Sequence, residues 1–257
     1  MRTALSCLRR ARRVVGAWLG RQPRVRRSAR VPRLRIGSDY GGWTICPDPI
    51  GATSVVYSVG LGSDISFDLG MIERFGVTVF GFDPTPASLE WLSEQALPDK
   101  LQVHNRGLAA IDGGLRLFEP SNPAHVSYSI LKTRPDAAAI EVPVARLETL
   151  MKQLGHDHVD LLKMDIEGAE YEVIRDLVES GVEIGQLLVE FHHCRHGISV
   201  AMTEAALRQL ETAGYELFWI SDSGYEYSFI NRSRWPESCV SPTSSMHAAQ
   251  NFTSEHC

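Results

Sequence analysis

Two glycines, a handful of acids at strand ends and a pair of histidines have the types and spacing to do chemistry. Gly60-Leu61-Gly62 follows the β-rich run Ser54–Val59 (SVVYSV) and precedes apolar residues Ile65, Leu69 and Ile72 at helical spacing, so it is a strand-to-helix turn. Glycines in such a turn let the backbone approach a ligand where a Cβ would collide. A dinucleotide would want a third glycine where Ile65 stands, and Asp64 would set an anion beside its pyrophosphate. A nucleoside without phosphate that carries cationic groups, such as S-adenosylmethionine, suits both residues. Gly60, Gly62, Ser63 and Asp64 are therefore candidate cofactor contacts, against the alternative of a tight turn that binds nothing. Asp83 shifts that balance. It ends the next β-rich run, Val77–Phe82 (VTVFGF), where a carboxylate can take both hydroxyls of a ribose.

The densest run is Leu161-Leu162-Lys163-Met164-Asp165-Ile166-Glu167-Gly168-Ala169-Glu170. Asp165 leaves an apolar strand and faces the ligand side of a sheet, Glu167 opens the next helix, and Gly168 permits close approach. Glu170 is explained by the helix dipole, which favours acids in a first turn. Proton-transfer chemistry has candidates in Asp165, Glu167, Glu190, His192 and His193. His192 leads as general base, with His193 behind it, because both leave a strand where an acceptor could sit; Asp165 orients donor or acceptor. A loop histidine with a structural hydrogen bond is the competing explanation. His192, His193, Cys194 and His196 crowd too closely to surround one ion, and no C-x-x-C or H-E-x-x-H accompanies them, so no metal is expected there. Magnesium on Asp165 and Glu190 is the lesser alternative.

These residues need a scaffold of alternating strands and helices. After Asp83, Thr85-Pro86 reads as a helix start, with Thr85 as cap. Leu101–His104 is a third strand, and 113–145 is an insertion with strands at Leu115–Phe118 and Ile140–Val144. A helix through Leu147, Leu150, Met151 and Leu154 ends at Gly155. Val159–Met164 is nearly all apolar, as a strand buried on both faces should be. A helix over Ala169–Val178 and a strand over Gln186–Phe191 follow, then a helix over Met202–Ala213. Tyr215–Ile220 and Tyr225–Ile230 flank a turn too short for a parallel crossover, so they pair antiparallel. The expectation is α/β: a Rossmann-like sheet of about seven strands, mostly parallel, with an antiparallel C-terminal hairpin strand, binding ligand beyond the strands' carboxyl ends. Tyr40-Gly41-Gly42-Trp43 reads either as an aromatic flap or as a turn beside a core tryptophan.

Charge is distributed unevenly. Twelve of the 26 basic residues and none of the 31 acidic ones fall in 1–35, so the rest of the chain is strongly acidic and a poor nucleic-acid surface. Residues 1–35 read as a basic, disordered arm that could make weak membrane-surface contact or target an organelle; 36–232 form the folded domain; 233–257 read as a disordered tail. Five scattered cysteines argue against a disulfide framework and for a reducing, cytoplasmic setting. No apolar run reaches the length of a membrane span.

LLKMDIEGAEYEVI, with YSVGLGSDISFD, FGFDPTPASLEWL, VEFHH and the terminal GYEYSFI in order, resembles the FkbM family of S-adenosylmethionine-dependent methyltransferases over about Ile36 to Asn231. The resemblance implies the class I methyltransferase fold, S-adenosylmethionine as methyl donor and O-methylation of a hydroxyl on a small acceptor, a sugar or specialised metabolite. It implies cofactor roles for Gly60, Gly62, Asp83 and Asp165. The chain departs from the wider class where an acid often precedes the first glycine and a glycine closes the loop; Ser58 and Asp64 stand there. A non-catalytic binding module recruited through the basic arm is the alternative reading. Neither acceptor identity nor oligomeric state is legible.

Overall fold

A computed structural model describes residues 11, 13–119, 128–130, 136–194 and 197–235. Residues 1–10, His196, much of the insertion's loop and the tail beyond 235, with Cys239, Cys257 and Asn251, lie outside the described residues. In chain order the elements are β1 (Leu34–Ile36), β2 (Trp43–Ile45), β3 (Val55–Val59), α1 (Ser66–Phe75), β4 (Thr78–Phe82), α2 (Pro86–Ser93), β5 (Leu101–His104), β6 (Gly107–Leu108), β7 (Gly113–Phe118), β8 (Ala139–Ala145), α3 (Leu147–Leu154), β9 (Val159–Met164), α4 (Glu170–Ser180), β10 (Ile184–Glu190), α5 (Val200–Thr212), β11 (Tyr215–Ile220) and β12 (Glu226–Asn231).

Seven strands form one sheet in the order β11-β12-β10-β9-β3-β4-β5. The contiguous strands β10, β9, β3, β4 and β5 pair parallel, and β12 runs antiparallel to both its neighbours. This is the α/β architecture that the sequence predicts. β9 is buried at every residue because both its faces are covered. Leu162 and Met164 pack on one side with Ile174 and Leu187; Leu161 packs on the other with Val56 and Phe67. The chain leaves β3, β4, β9 and β10 at the same sheet edge, which gathers Gly60, Asp83, Asp165 and His192 there.

Three features differ from the sequence reading or add to it. The insertion forms its own three-stranded sheet, β6-β8-β7, in which β6 joins the two expected strands. Thr85 precedes α2 but makes no side-chain cap; its hydroxyl donates to Asp83 Oδ1 at 2.6 Å and accepts from the Ser88 hydroxyl at 2.8 Å. Trp43 belongs to the core in β2, and only Tyr40 of the aromatic pair is exposed.

Of the basic arm, the described part lies against the domain. Ser28 and Ala29 donate backbone N–H groups to Leu217 O, Leu217 N donates to Ser28 Oγ, and Ala29 is buried with Cys46, Phe218 and Ile230. The guanidinium groups of Arg27 and Arg33 lie 5.9 and 4.8 Å from the Trp219 ring. Val14, Val15, Trp18 and Leu19 stay exposed. No helix among the described residues is long and apolar enough to cross a membrane.

Candidate active site

Gly60 begins the site, and its neighbours explain why it must be glycine. It sits at φ 77°, and a Cβ there would overlap the carbonyl oxygen of Asp165. The residue therefore yields space to the protein's own backbone, where the sequence reading had assigned that space to a ligand as well. Its N–H donates to Phe82 O at 2.9 Å, and its carbonyl accepts from Lys163 Nζ at 2.6 Å. Lys163 is buried in β9 beneath the loop, and its charge faces Asp68 of α1, also buried. Burial drives the Asp68 carboxyl above its ordinary range, and the nearby ammonium works against that rise.

Asp83 is tied in from the other side. Its Oδ2 accepts from Gly62 N at 3.0 Å, while its Oδ1 accepts from Thr85 N at 2.9 Å and from the Thr85 hydroxyl. The carboxylate is only 4% exposed, so these bonds fix where its remaining lone pairs point. A cleft opens beside it. Gly60, Gly62, Asp83 and Thr85 form one wall, Leu108, Leu115, Leu117, Ile130 and Val144 a second, and Asp165, Ile166 and Glu167 the mouth. The insertion's sheet thus supplies the apolar wall. Among the described residues, no lysine or arginine lines the cleft.

Ser63 and Asp64 do not line it. The Asp64 carboxylate accepts from Ser38 Oγ at 2.6 Å and from Ser66 N at 2.9 Å, bracing the turn before β2 against the start of α1. Burial opposes its charge, yet these bonds hold the carboxyl below its ordinary range.

At the cleft's mouth, carboxylates converge on His192, which is 2% exposed. Its Nδ1 donates to Glu170 Oε1 at 2.6 Å, and its Nε2 lies 3.3 Å from Glu167 Oε2, 3.8 Å from Asp165 Oδ1 and 3.9 Å from Glu190 Oε1. Burial alone would lower the imidazole's pKa, but Glu170, Glu167 and Asp165 overcome it and push it up to about 10. Glu190 is pushed up to about 9 by burial and by the charge of Asp165. These carboxylates make His192 hold a proton more tightly than an ordinary imidazole, which disfavours it as the general base. Glu170 is the residue that sequence reasoning missed. It is fully buried, and it also accepts from Gly168 N. Acid at a first helical turn has a sufficient surface explanation, so only the burial of this position reveals its partner.

Glu167 occupies the left-handed region at φ 48°, a strained conformation for a side-chain-bearing residue. Ser129 Oγ holds it by donating to Glu167 O at 2.8 Å. His193, one residue from His192, points elsewhere: its Nε2 pairs with Gln22 Oε1 at 3.1 Å, and its ring packs on Tyr225. It fastens the arm and does not join the cluster.

A nucleoside bearing positive charge meets complementary groups in the cleft. An oriented, buried carboxylate suits ribose hydroxyls, an apolar wall suits a flat heterocycle, and an acidic mouth suits a cation. The residues fit such a group.

Residues 50–217 match the family described as methyltransferase FkbM domain. Probable methyltransferase-like protein 24 of Rattus norvegicus is 32% identical over 174 residues, covering 63% of this chain and 42% of that protein. Methyltransferase 1 of Beauveria bassiana is 26% identical over 148 residues, covering 49% of this chain and 59% of that protein. The chain spans about two fifths of the length of the methyltransferase-like protein 24 relatives it matches. Aeropyrum pernix fibrillarin, solved with bound S-adenosyl-L-methionine, superposes with a TM-score of 0.40 at 10% identity over 70% of this chain and 67% of that one.

Proposed function

The chain belongs to the FkbM methyltransferase family, and from that premise we propose that it binds S-adenosylmethionine in the cleft and O-methylates a hydroxyl of a small acceptor, a sugar or specialised metabolite. The observation that carries this reading is the cleft itself: Asp83 held by Gly62 and Thr85 beside an apolar wall and an acidic mouth. Asp83 would hold the ribose, the wall of Leu108, Leu115, Leu117, Ile130 and Val144 the adenine, and Asp165 would face the cationic end. When bound, the cofactor supplies a methyl group on sulfonium that an oxygen can displace in line.

The chain's own work is orientation and removal of one proton. Glu167 is placed for the second task. It lines the cleft, its backbone is fixed by Ser129, and its second carboxylate oxygen is not the one turned to His192. We assign it as general base, with Asp165 orienting the acceptor. His192 and Glu170 position these carboxylates. The exposed Val14, Val15, Trp18 and Leu19 beside the arm's arginines support a weak contact with anionic membrane, which vesicle co-sedimentation would check.

The test pairs binding with turnover. Calorimetry should show S-adenosylhomocysteine bound by wild type and by Glu167→Gln, and bound at least about tenfold more weakly by Asp83→Ala. Labelled-methyl transfer to hydroxylated small molecules from the source cells should fall about 10²-fold or more in Glu167→Gln. Folded protein that binds no S-adenosylhomocysteine would defeat the cofactor reading. Binding without transfer to any acceptor would return the non-catalytic alternative.

A further inference from the structure

We propose that Asp165, Glu190 and His192 form a site for one divalent cation of the Mn²⁺ class at the rim of the cleft. One ligand atom from each of the three lies within 4.8 Å of the others. Nε2 of His192 is 3.8 Å from Asp165 Oδ1 and 3.9 Å from Glu190 Oε1. Donors bound at roughly 2.1 Å to one ion stand about 3.0–3.5 Å apart, so side-chain movements on the order of an ångström would close the set.

Two further observations go beyond proximity. The first is the support behind the imidazole. Glu170, fully buried, takes Nδ1 at 2.6 Å and so leaves Nε2 as the end that faces the carboxylates. A carboxylate behind a histidine is how proteins orient an imidazole that ligates a metal. The second is Asp165 Oδ1. It is closed off from solvent, accepts no hydrogen bond and points at Nε2. A carboxylate oxygen in that position lacks the partner its burial requires, and a cation supplies one.

Charge leads to the same conclusion. Asp165, Glu167 and Glu170 lie within 4 Å of one imidazole, more carboxylates than a single imidazolium offsets. The donor set fixes the class of ion. Two carboxylates with no thiolate favour a hard divalent ion, and one imidazole favours Mn²⁺ over Mg²⁺. On the proposed methyl transfer, on which this last step rests, the ion has a stated use. Coordination by Nε2 would displace its proton to solvent and turn His192 from Glu167 to the ion, beside the carboxylate assigned to take the acceptor's proton.

The experiment is a Mn²⁺ titration of the full chain, stripped of metal beforehand and followed by electron paramagnetic resonance, with S-adenosylhomocysteine binding measured on the same preparation. Wild type should show one saturable site that Mg²⁺ displaces at higher concentration. Glu190→Gln and His192→Asn should weaken it at least about tenfold, and Glu170→Gln, which touches only the ligand's far side, by about 10–100-fold. Glu172→Gln, on the exposed face of α4, should leave it unchanged. Absence of saturable Mn²⁺ binding in wild type, or equal affinity in Glu190→Gln with native circular dichroism, overturns the site. Because cofactor binding is read separately, loss of the metal site alone leaves the methyl-transfer reading standing.

Discussion

Gly60 shows how one atom decides a position. Any side chain there meets the Asp165 carbonyl and a φ of 77°, and the obstacle is backbone that cannot rotate away. Gly60→Ala should therefore cost about 2 kcal/mol or more in a urea melt and weaken S-adenosylhomocysteine binding in calorimetry at least tenfold, since the displaced loop carries Gly62 and with it Asp83. The carboxylate cluster makes a second residue-scale prediction. Glu190 and His192 both hold protons in the folded state that the unfolded chain would release. Glu190's contribution to stability is complete below about 4.5 and lost as pH rises through about 9; that of His192 is complete below about 6.5 and lost through about 10. In protein free of divalent cations, the urea midpoint should therefore fall between about pH 5 and pH 8, and Glu190→Gln should flatten that fall. The sequence makes Gly60, Gly62, Asp83 and Asp165 legible because strand-end position is written in hydrophobic runs. It does not separate His192 from His193, since neighbouring residues beyond a strand diverge by backbone rotation that no periodicity records. One meets four carboxylates and the other meets Gln22, a residue 171 positions away.

Elements place these residues and also protect them. β11 is the edge of the seven-stranded sheet, with a backbone that would otherwise be free to pair with another chain. Ser28 and Ala29 cover it at Leu217, and Arg27 and Arg33 flank Trp219. Removing residues 1–31 should lower the melting temperature and produce concentration-dependent association in gel filtration; an unchanged, monodisperse profile would show that the strand needs no cover. The central strands and the helices α1–α5 could be read from apolar runs and glycine stops, among them Gly76 and Gly155 in the left-handed conformation at helix ends. The arm could not. Its packing uses backbone hydrogen bonds and guanidinium-on-indole contacts, which leave no hydrophobic period in a segment whose arginines suggest solvation. β6 was equally hidden, being a two-residue strand.

The whole molecule sets a basic arm against an acidic body, and the ligand site lies in the acidic part. Twelve arginines precede residue 36, yet none of the described residues lining the cleft is basic. Phosphate recognition needs positive side chains or a helix N-terminus freed for an anion. Here α1 begins with its Ser66 N–H already given to Asp64. The same absence that argues against a dinucleotide favours a ligand that brings its own positive charge to Asp165 and Glu167. The consequence can be measured on the intact fold. A ligand at about a hundred times its dissociation constant stabilises by roughly 2.7 kcal/mol, which in a domain of this size raises the melting temperature by about 5–10 °C. S-adenosylhomocysteine should produce a rise of that order and S-adenosylmethionine a comparable one, while NADH at equal concentration should leave the transition where it is. In Asp83→Ala the rise should shrink toward zero with the unliganded melting temperature little lowered, because Asp83 bonds only to its own neighbouring loops. A shift with NADH equal to that with S-adenosylhomocysteine would mean that the cleft reads adenosine alone and that its acidic mouth contributes nothing to the choice.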